Sequence, residues 1–270
     1  MSVATFIPKL WSARLIDNLN ANRVGGAFVN RDYEGDIRHG GDTVHINNVG
    51  AISVSDYKRG TPITIEDLTT EDRTLIVDQD KYFAFSVEDV DKAQAAGDVM
   101  DAAMYQASLN LLNAEDQYTF ATLAKEGTAN ALGALNADGA YGALVALGIA
   151  LDKANTPATG RVVCVNPDFY GWLLQDDRFV KAGTDAGEQR LATGYIGQAA
   201  GFTVYKSNNL PEHTIIADVP SAATFAEQVL NVEAIRSQSA FGDIVRGQAV
   251  YGAKVTQAKA VAVGTYTIKA

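Results

Sequence analysis

Apolar and small residues recur at alternating spacings of three and four along residues 86–127, which is the spacing of one face of an α-helix. Ser86, followed by two acidic residues, fits a helix N-cap. Gly127 fits a C-terminal stop. The predicted helix is roughly 60 Å long. Its face consists of Val90, Ala93, Gly97, Met100, Met104, Ala107, Leu111, Ala114, Tyr118 and Ala121.

A helix of this length is either a free coiled coil or a helix that lies on a sheet. The face is dominated by small residues, and the flanking positions lack the paired opposite charges of a zipper. We therefore predict a helix on a sheet, with a bend or break at Gly97, where glycine costs about 1 kcal/mol relative to alanine. The side chains expected to pack it are Val90, Met100, Met104, Leu111 and Tyr118.

Residues 43–87 show the two-residue alternation of β-strands. Val44 and Ile46 share one face of the run TVHIN. The run DYKRGTP predicts a hairpin with its tip near residues 57–62, and the polar segment 65–73 predicts a projecting loop. The chain then returns in the strand patterns TLIVDQ and KYFAFSV, which lead into the helix.

Residues 128–236 predict a second α/β unit. Its elements are a helix in GAYGALVALGIALDKAN, a buried strand in RVVCV, an aromatic helix in PDFYGWLLQ, and strands in FTVYKS and HTIIADV. The glycine-rich segment 181–201 predicts a loop. The run TFAEQVLNVEAIRSQ fits a helix or two strands, and periodicity does not decide between them.

The two ends of the chain complete the predicted fold. Residues 1–42, with a short helix after Pro8, predict an extended arm that lies on another surface, since it cannot bury much of itself. Two alternating strands over residues 241–270 predict closure of the sheet begun at 43–87. Helices segregated on a mostly antiparallel sheet make the predicted fold class α+β.

The acidic composition argues against a specific nucleic-acid partner. The chain has 270 residues and a formal net charge of -10, whereas a nucleic-acid reader needs a basic face. We therefore expect contact with DNA to be non-specific. Cys164 is the only cysteine and lies in an apolar run, which predicts a buried structural thiol. Because the sequence shows neither a signal peptide nor a membrane span, we expect a soluble protein made in a cytoplasm, with no membrane partner.

Motifs for catalysis and metal binding are missing from the sequence. HExxH, GxSxG and GxxxxGKS/T do not occur, and the glycines of GYIGQAAG do not make a GxGxxG. His39 and His45 flank Asp42, but without a third ligand we expect a structural role for them. We expect no enzyme activity, no metal and no cofactor.

Lys58 and Arg59 form a basic pair in an acidic chain, at the predicted hairpin tip. The pair is either part of a solvated turn or a contact with an acidic patch on a neighbouring copy. Sequence alone leaves both readings open.

Several runs, in this order, resemble the major capsid protein of tailed double-stranded-DNA bacteriophages, with its Hong Kong 97-like fold. The resemblance covers essentially the whole chain, and the order of the runs is more specific than any one of them. The runs are FIPKLWSARLIDNL, YEGDIRHGGDTVHI, DYKRGTPIT, DQDKYFAFSVEDVDKAQA and FGDIVRGQAVYGAKV.

The resemblance implies an N-terminal arm, an extended β loop, a peripheral domain with a long spine helix, and an axial domain. The axial domains of five or six copies would meet at each capsomer centre, with segment 181–201 a candidate for that axis. The loop would reach over a neighbouring subunit, with contacts at Asp56, Tyr57, Lys58 and Arg59. The implied ranges are 1–42 for the arm, about 49–73 for the loop, 43–127 and 241–270 for the peripheral domain, and 128–240 for the axial domain.

The implied function is a structural capsid protein that assembles with itself, as hexamers and pentamers, into an icosahedral shell around the phage genome. The implied partners are also a separate scaffolding protein, a portal and decoration proteins, and the implied location is the virion after assembly in the host bacterial cytoplasm. Some relatives join lysine and asparagine side chains between subunits. Lys58 is the candidate lysine, but no acid or acceptor motif accompanies it.

Two other hypotheses stay open. One is an encapsulin-like nanocompartment shell, which has the same fold but encloses an enzyme cargo. The other is a hydrolase with an unrecognised site, which requires a deep pocket with converging polar groups.

Overall fold

The computed structural model describes residues 23–33, 43–49, 56, 58–60, 65, 67, 70–88, 99–176, 196–237 and 241–269. No helix in these ranges is long and apolar enough to cross a membrane. The elements in chain order are β1 (Thr43–Val49), β2 (Thr70–Ile76), β3 (Gln79–Glu88), α1 (Val99–Glu126), β4 (Thr128–Leu135), α2 (Ala140–Lys153), β5 (Val162–Val165), α3 (Pro167–Gln175), β6 (Gln198–Ala199), β7 (Phe202–Lys206), β8 (Thr214–Asp218), β9 (Ala223–Arg236), β10 (Gly242–Val255) and β11 (Val261–Ile268).

Helix α1 does not begin where the sequence predicts. Residues 86–88 are the last residues of strand β3, so the predicted N-cap at Ser86 is wrong. The strand continues because its backbone pairs with β10 as far as Glu88, which lies opposite Gly242. The alternation of apolar residues in β3 therefore outweighs the capping pattern that follows it.

The remainder of α1 follows the predicted pattern. The helix has 28 residues, or roughly 42 Å of length. It ends at Glu126, and the following Gly127 donates its N–H to the Leu123 carbonyl at 2.9 Å. The predicted packing residue Val90 and the bend at Gly97 lie outside the described residues.

One face of α1 lies on a sheet, which rules out a free coiled coil. This is the three-stranded sheet, with strand order β3-β10-β9. Met100 lies in the helix, although its side chain is not described. The buried contact joins Met104, Leu111 and Leu112 of the helix to Val232, Val245 and Ala249 of the sheet, with Phe83 and Phe85 packed against them.

The closing strands do not both complete the sheet begun by the early β region. Strand β10 pairs with β3, but β11 lies in a separate six-stranded sheet of order β4-β11-β8-β5-β7-β6. Strands β1 and β2 form a third sheet of their own. The prediction of one shared sheet is therefore wrong, because alternation identifies strands but not the strands they pair with.

The sequence left one strand undecided and did not predict β4 or the two-residue strand β6, which lies in the predicted loop 181–201. The run that fitted a helix or two strands is the single strand β9, paired along β10 with an irregularity between Gln248 and Ala249. Strand β4 was not predicted, because its sequence TANALGAL consists mostly of small residues with low strand propensity. It pairs in parallel with β11 at the edge of the six-stranded sheet.

The six-stranded sheet is covered on both faces. Helices α2 and α3 pack on one face through residues such as Leu144, Leu147 and Phe169, all fully buried. The C-terminal half of α1 packs on the other face through Phe120 and Leu123. Helix α1 thus contacts both large sheets.

A matched pair of glycine substitutions tests this arrangement. A Cβ on Gly252 of β10 would overlap the Ile76 carbonyl oxygen and lie 3.0 Å from Val77 Cα, so the backbone would have to move. We expect Gly252→Ala to lower the free energy of unfolding by about 1–3 kcal/mol, the usual cost of overpacking. The measurement is urea-induced unfolding followed by circular dichroism.

The control is Gly142→Ala in α2, where a Cβ would meet nothing within 4 Å. Because alanine is the better helix former, we expect this change to raise the free energy of unfolding by up to about 1 kcal/mol. Equal effects of the two substitutions would contradict the close approach of β10 to the end of β2.

Candidate assembly surfaces

The β1–β2 ribbon carries the predicted extended loop. The two strands pair antiparallel from Thr43 opposite Ile76 to Val49 opposite Thr70. Gly60 has a φ of +87°, a conformation that favours glycine in tight turns.

Three of the four loop-tip residues named from the sequence are described. Asp56, Lys58 and Arg59 are all exposed, and Tyr57 lies outside the described residues. Ile65, farther along the same loop, is 84% exposed. Within the described part of the chain, these side chains are therefore available to another molecule.

The ribbon is held at its base. Ile46, Leu75 and Val77 are buried against Ala226 of β9 and Val250 of β10. Nearby, the Arg73 guanidinium donates to the Val255 carbonyl at 3.3 Å. An isolated two-stranded ribbon is only marginally stable in water, so these contacts at its base stabilise it.

Residues 23–33 form an anchor segment that crosses α1 and β9. The guanidinium of Arg23 binds the carboxylate of Glu115 on α1 and that of Glu227 on β9, the latter at 2.6 Å. Arg31 binds the same Glu227 oxygen at 2.9 Å. The Arg23, Glu115 and Glu227 side chains are at most 6% exposed, so these are buried ion pairs.

Backbone contacts fix the same anchor segment. The carboxylate of Asp116 accepts the N–H groups of Val24 at 3.2 Å and Gly25 at 3.0 Å. A Cβ on Gly25 would lie 2.7 Å from the Asp116 carboxylate, which explains the glycine at this position. Asn30 exchanges backbone hydrogen bonds with Ala223 and Phe225 of β9, both at 2.9 Å.

Aromatic packing completes the anchor. Phe28 is fully buried, and its ring meets those of Phe120 and Tyr205 edge to face, each at a centroid distance of 5.6 Å. The Arg23 guanidinium lies over the Phe225 ring at 5.0 Å, a cation–π contact. The anchor segment thus joins α1 to both large sheets.

Electrostatics make the anchor sensitive to protonation. Burial, followed by the neighbouring Glu227 carboxylate, raises the pKa of Glu115 from 4.5 to about 8, although Arg23 acts in the opposite direction. Burial also raises the pKa of Asp116, against its hydrogen bonds from Gly25 and Val24. The anchor was missed from the sequence because its charges come from positions far apart in the chain. The one local signal was the acidic pair 115–116 beside an apolar helix face.

Tyr118 of α1 makes a further contact that joins the helix to the three-stranded sheet. The hydroxyl of Tyr118 donates to Asp78 at 2.7 Å, and burial raises the pKa of Tyr118. Its ring meets that of Tyr251 edge to face at 5.5 Å. This half-buried helix residue joins α1 to β10 and to the turn before β3.

Exposed apolar side chains mark further candidate contact surfaces. Tyr82, on the outer face of the three-stranded sheet, is 80% exposed, and Phe241, just before β10, is 85% exposed. The neighbouring Arg246–Glu233 pair, with a hydrogen bond of 2.6 Å, adds charge to the face that carries Tyr82. Large exposed apolar groups rimmed by polar residues commonly mark protein contacts.

The described residues provide no support for the hydrolase hypothesis. Two open grooves of about 580 and 640 Å³ flank β3, and neither gathers a converging set of catalytic groups. No three His, Cys, Asp or Glu residues in the described ranges are placed to hold a metal ion. Of the flagged histidines, His45 is exposed on β1 and His39 lies outside the described residues. Cys164 is fully buried in β5.

Comparison with known proteins identifies the family. A family model described as phage capsid protein matches residues 69–264, from the base of the ribbon to β11. The chain belongs to the phage capsid protein family. A solved structure from Mycobacterium phage Che8 is 34% identical to this capsid protein, covers 90% of this chain and 91% of its own, and superposes with a TM-score of 0.79.

More distant capsids share the fold. The capsid of cyanophage P-SCSP1u is 19% identical, over 86% of this chain and 85% of its own, with a TM-score of 0.69. The mature capsid of bacteriophage PhiM1 is 13% identical, over 83% and 82%, with a TM-score of 0.65. No curated protein matches the sequence. The predicted family, its α+β capsid fold and a structural shell function are confirmed, and the encapsulin alternative is less supported.

Arginine substitutions test the anchor. Removing Arg23 leaves the buried Glu115 carboxyl without its arginine and Glu227 with Arg31 alone, and breaking a buried ion pair typically costs about 3–5 kcal/mol. We expect Arg23→Ala to lower the free energy of unfolding by that amount, measured by urea titration. Arg246→Ala is the control, because its ion pair with Glu233 is half exposed and such pairs contribute at most about 1 kcal/mol. Similar losses in both variants would show that the anchor does not depend on its buried charges.

The pKa of Glu115 predicts a pH dependence. Because its folded-state pKa is raised, the native chain holds a proton that the unfolded chain releases between 4.5 and about 8. The contribution of Glu115 to the free energy of unfolding is therefore complete below that window and falls as the pH rises through it. We expect Glu115→Gln to make the decline in urea titrations across the window less steep, whereas Glu233→Gln leaves it as in the wild type. A wild-type slope in Glu115→Gln would refute this assignment.

Proposed function

We propose that this capsid protein assembles with copies of itself, as hexamers and pentamers, into an icosahedral shell that encloses a phage genome. The observation that carries the proposal is the 34% identity to the Che8 phage structure over 90% of the chain. A shell subunit needs no catalytic centre. It needs many modest contacts that add up over copies.

The division into regions is also a proposal, and sheet membership adjusts its boundaries. We place the arm at residues 1–42 and the extended loop at about 49–73. Because β9 and β10 share the three-stranded sheet, the peripheral domain would comprise 43–127 and 223–255. Because β11 lies in the six-stranded sheet, the axial domain would comprise 128–222 and 256–269.

The loop tip is the proposed contact with a neighbouring copy. Asp56, Tyr57, Lys58 and Arg59 would contact an acidic patch there, with the two basic residues supplying the attraction. The support is the exposure of the three described residues and the chain's net charge of -10, which makes acidic surface plentiful. Exposed Tyr82 and Phe241 are candidates for apolar contacts with neighbouring copies.

The remaining partners follow from the shell function. The acidic balance limits adhesion of the shell to packaged DNA, so contact with DNA would be non-specific. A scaffolding protein, a portal and decoration proteins are proposed partners, with assembly in the host bacterial cytoplasm and final location in the virion. The protein is proposed to act as a structural component rather than as an enzyme.

Electron microscopy of the full chain, expressed alone and with its phage neighbours, tests the shell. We expect closed icosahedral particles, or free hexamers and pentamers. A chain that stays monomeric under every condition would overturn the proposal. Particles that enclose a protein cargo instead of DNA would favour the encapsulin-like alternative.

Charge reversal tests the loop tip. We expect the double substitution Lys58→Glu, Arg59→Glu to lower the yield of assembled particles at least about tenfold, since like-charge contacts cost several kcal/mol and about 1.4 kcal/mol is tenfold. Sedimentation measures the assembled fraction, and circular dichroism should show unchanged folding.

The matched control is Lys153→Glu, Lys269→Glu, which reverses two exposed lysines, one at the end of α2 and one directly after β11. We expect near-normal assembly from this control. If both double variants assemble equally well, the tip does not provide the contact.

A further inference from the structure

The two large sheets are joined by a junction of three chain crossings, formed by residues 126–128, 219–222 and 256–260. These lead from α1 to β4, from β8 to β9, and from β10 to β11. The carbonyl of Ala222 accepts the N–H groups of Thr256 at 2.9 Å and Gln257 at 3.0 Å. These bonds tie two of the crossings to each other.

The crossing at residues 126–128 packs against the crossing at residues 256–260. The hydroxyl of Thr128 donates to the Ala258 carbonyl at 2.8 Å. A Cβ on Gly127 would lie 2.7 Å from the Val263 side chain and 2.8 Å from that of Val261, so α1 ends directly on β11. Any change in the angle between the sheets must therefore disturb this junction.

Asp218 is the last residue of β8, directly before the second crossing. It lies opposite Val162 of β5 and opposite Val261 of β11, so it is enclosed by strands on both sides. Its side chain is fully buried, and neither carboxyl oxygen has a hydrogen-bond donor among the described residues. It is on the same side of β8 as Ile216, the side that faces α1.

We propose that Asp218 is a proton-dependent lock on this junction: its neutral carboxyl lets the three crossings pack together, and its ionisation opens them. An unpaired charge in such a site is far more costly than a neutral acid, so the closed junction binds a proton. The opened junction exposes the carboxyl to water and releases the proton. Opening and deprotonation are therefore coupled.

Among the described residues, no cation is paired with Asp218. The titratable groups on that side include the Cys164 thiol of β5, the Tyr205 and Tyr251 hydroxyls of β7 and β10 and, beyond the thiol, the Asp116 carboxyl of α1, whereas β11 presents Val261 and Val263. Burial raises the pKa of Asp218 well above its usual range. Burial, with Asp116 and Asp218 as lesser causes, also raises the pKa of Cys164. A second negative charge would add repulsion to the cost of burying the first.

Hydrogen exchange of the full-length wild-type chain tests the coupling. The probes are the amides of Thr256 and Gln257, whose bonds to Ala222 hold two crossings together. The measured quantity is the opening equilibrium constant, obtained after correction for the intrinsic exchange rate. It should rise about tenfold for each pH unit over the range in which the closed form holds the proton of Asp218 and the open form has released it. Amides of Leu147 and Leu151 in the core of α2 report global unfolding and serve as the reference. A flat response at the junction, or junction amides that exchange only together with those of α2, would overturn the proposal.

Variants assign the effect to one carboxyl. Asp218→Asn keeps the shape but cannot ionise, so the rise at Thr256 and Gln257 should disappear. Asp138→Asn, on the surface, and Glu115→Gln, at the anchor, should both keep it. If Asp218→Asn retains the wild-type rise, or Glu115→Gln abolishes it, Asp218 is not the lock. If Asp218→Asn does not fold, the wild-type response still decides, because a flat response excludes the lock.

Discussion

The structure depends on one helix that is buried on more than one side. The N-terminal half of α1 packs on the three-stranded sheet, its C-terminal half packs on the six-stranded sheet, and the anchor segment crosses it between them. The polar side chains that this helix buries need hydrogen-bond partners within the protein. Ser108 accordingly donates to the Tyr105 carbonyl at 2.7 Å, and Thr119 to the Glu115 carbonyl at 2.8 Å. The buried carboxylates of Glu115 and Asp116 receive the anchor segment.

The sequence predicted most elements of this fold but not how they combine. Alternation or a continuous apolar run identified β1, β3, β5, β7, β8, β10 and β11, and the helix predictions located α1, α2 and α3. Strand partners depend on long-range contacts, so the assignment of β10 and β11 to different sheets had no local signature. The predicted start of α1 was wrong for a related reason. Ser86 resembles an N-cap, but pairing with β10 holds it in a strand. Tertiary contacts overrode a local preference.

The candidate contacts also differ in whether the sequence alone could reveal them. The loop tip could be found because DYKRGTP combines turn residues with a basic pair, and both signals are local. The anchor could not be found, because Arg23 lies 92 positions before Glu115 and 204 positions before Glu227. Charged residues at those spacings carry no periodic pattern, and a buried charge looks the same in sequence as a solvated one. The unpartnered carboxyl of Asp218 is hidden for the same reason.

Burial also explains why the contacts within a subunit differ from those proposed between subunits. Buried ion pairs add little net stability but strongly penalise any arrangement that leaves one charge unpaired, so the Arg23 cluster specifies where the anchor segment lies. The β1–β2 ribbon is buried only at its base, and its exposed tip keeps its charges in water. Contacts of that kind are weak one at a time and reversible, which suits a shell in which errors of assembly must be corrected. The buried charges therefore fix contacts within the subunit, whereas the exposed charges of the tip remain available for the contacts proposed between subunits.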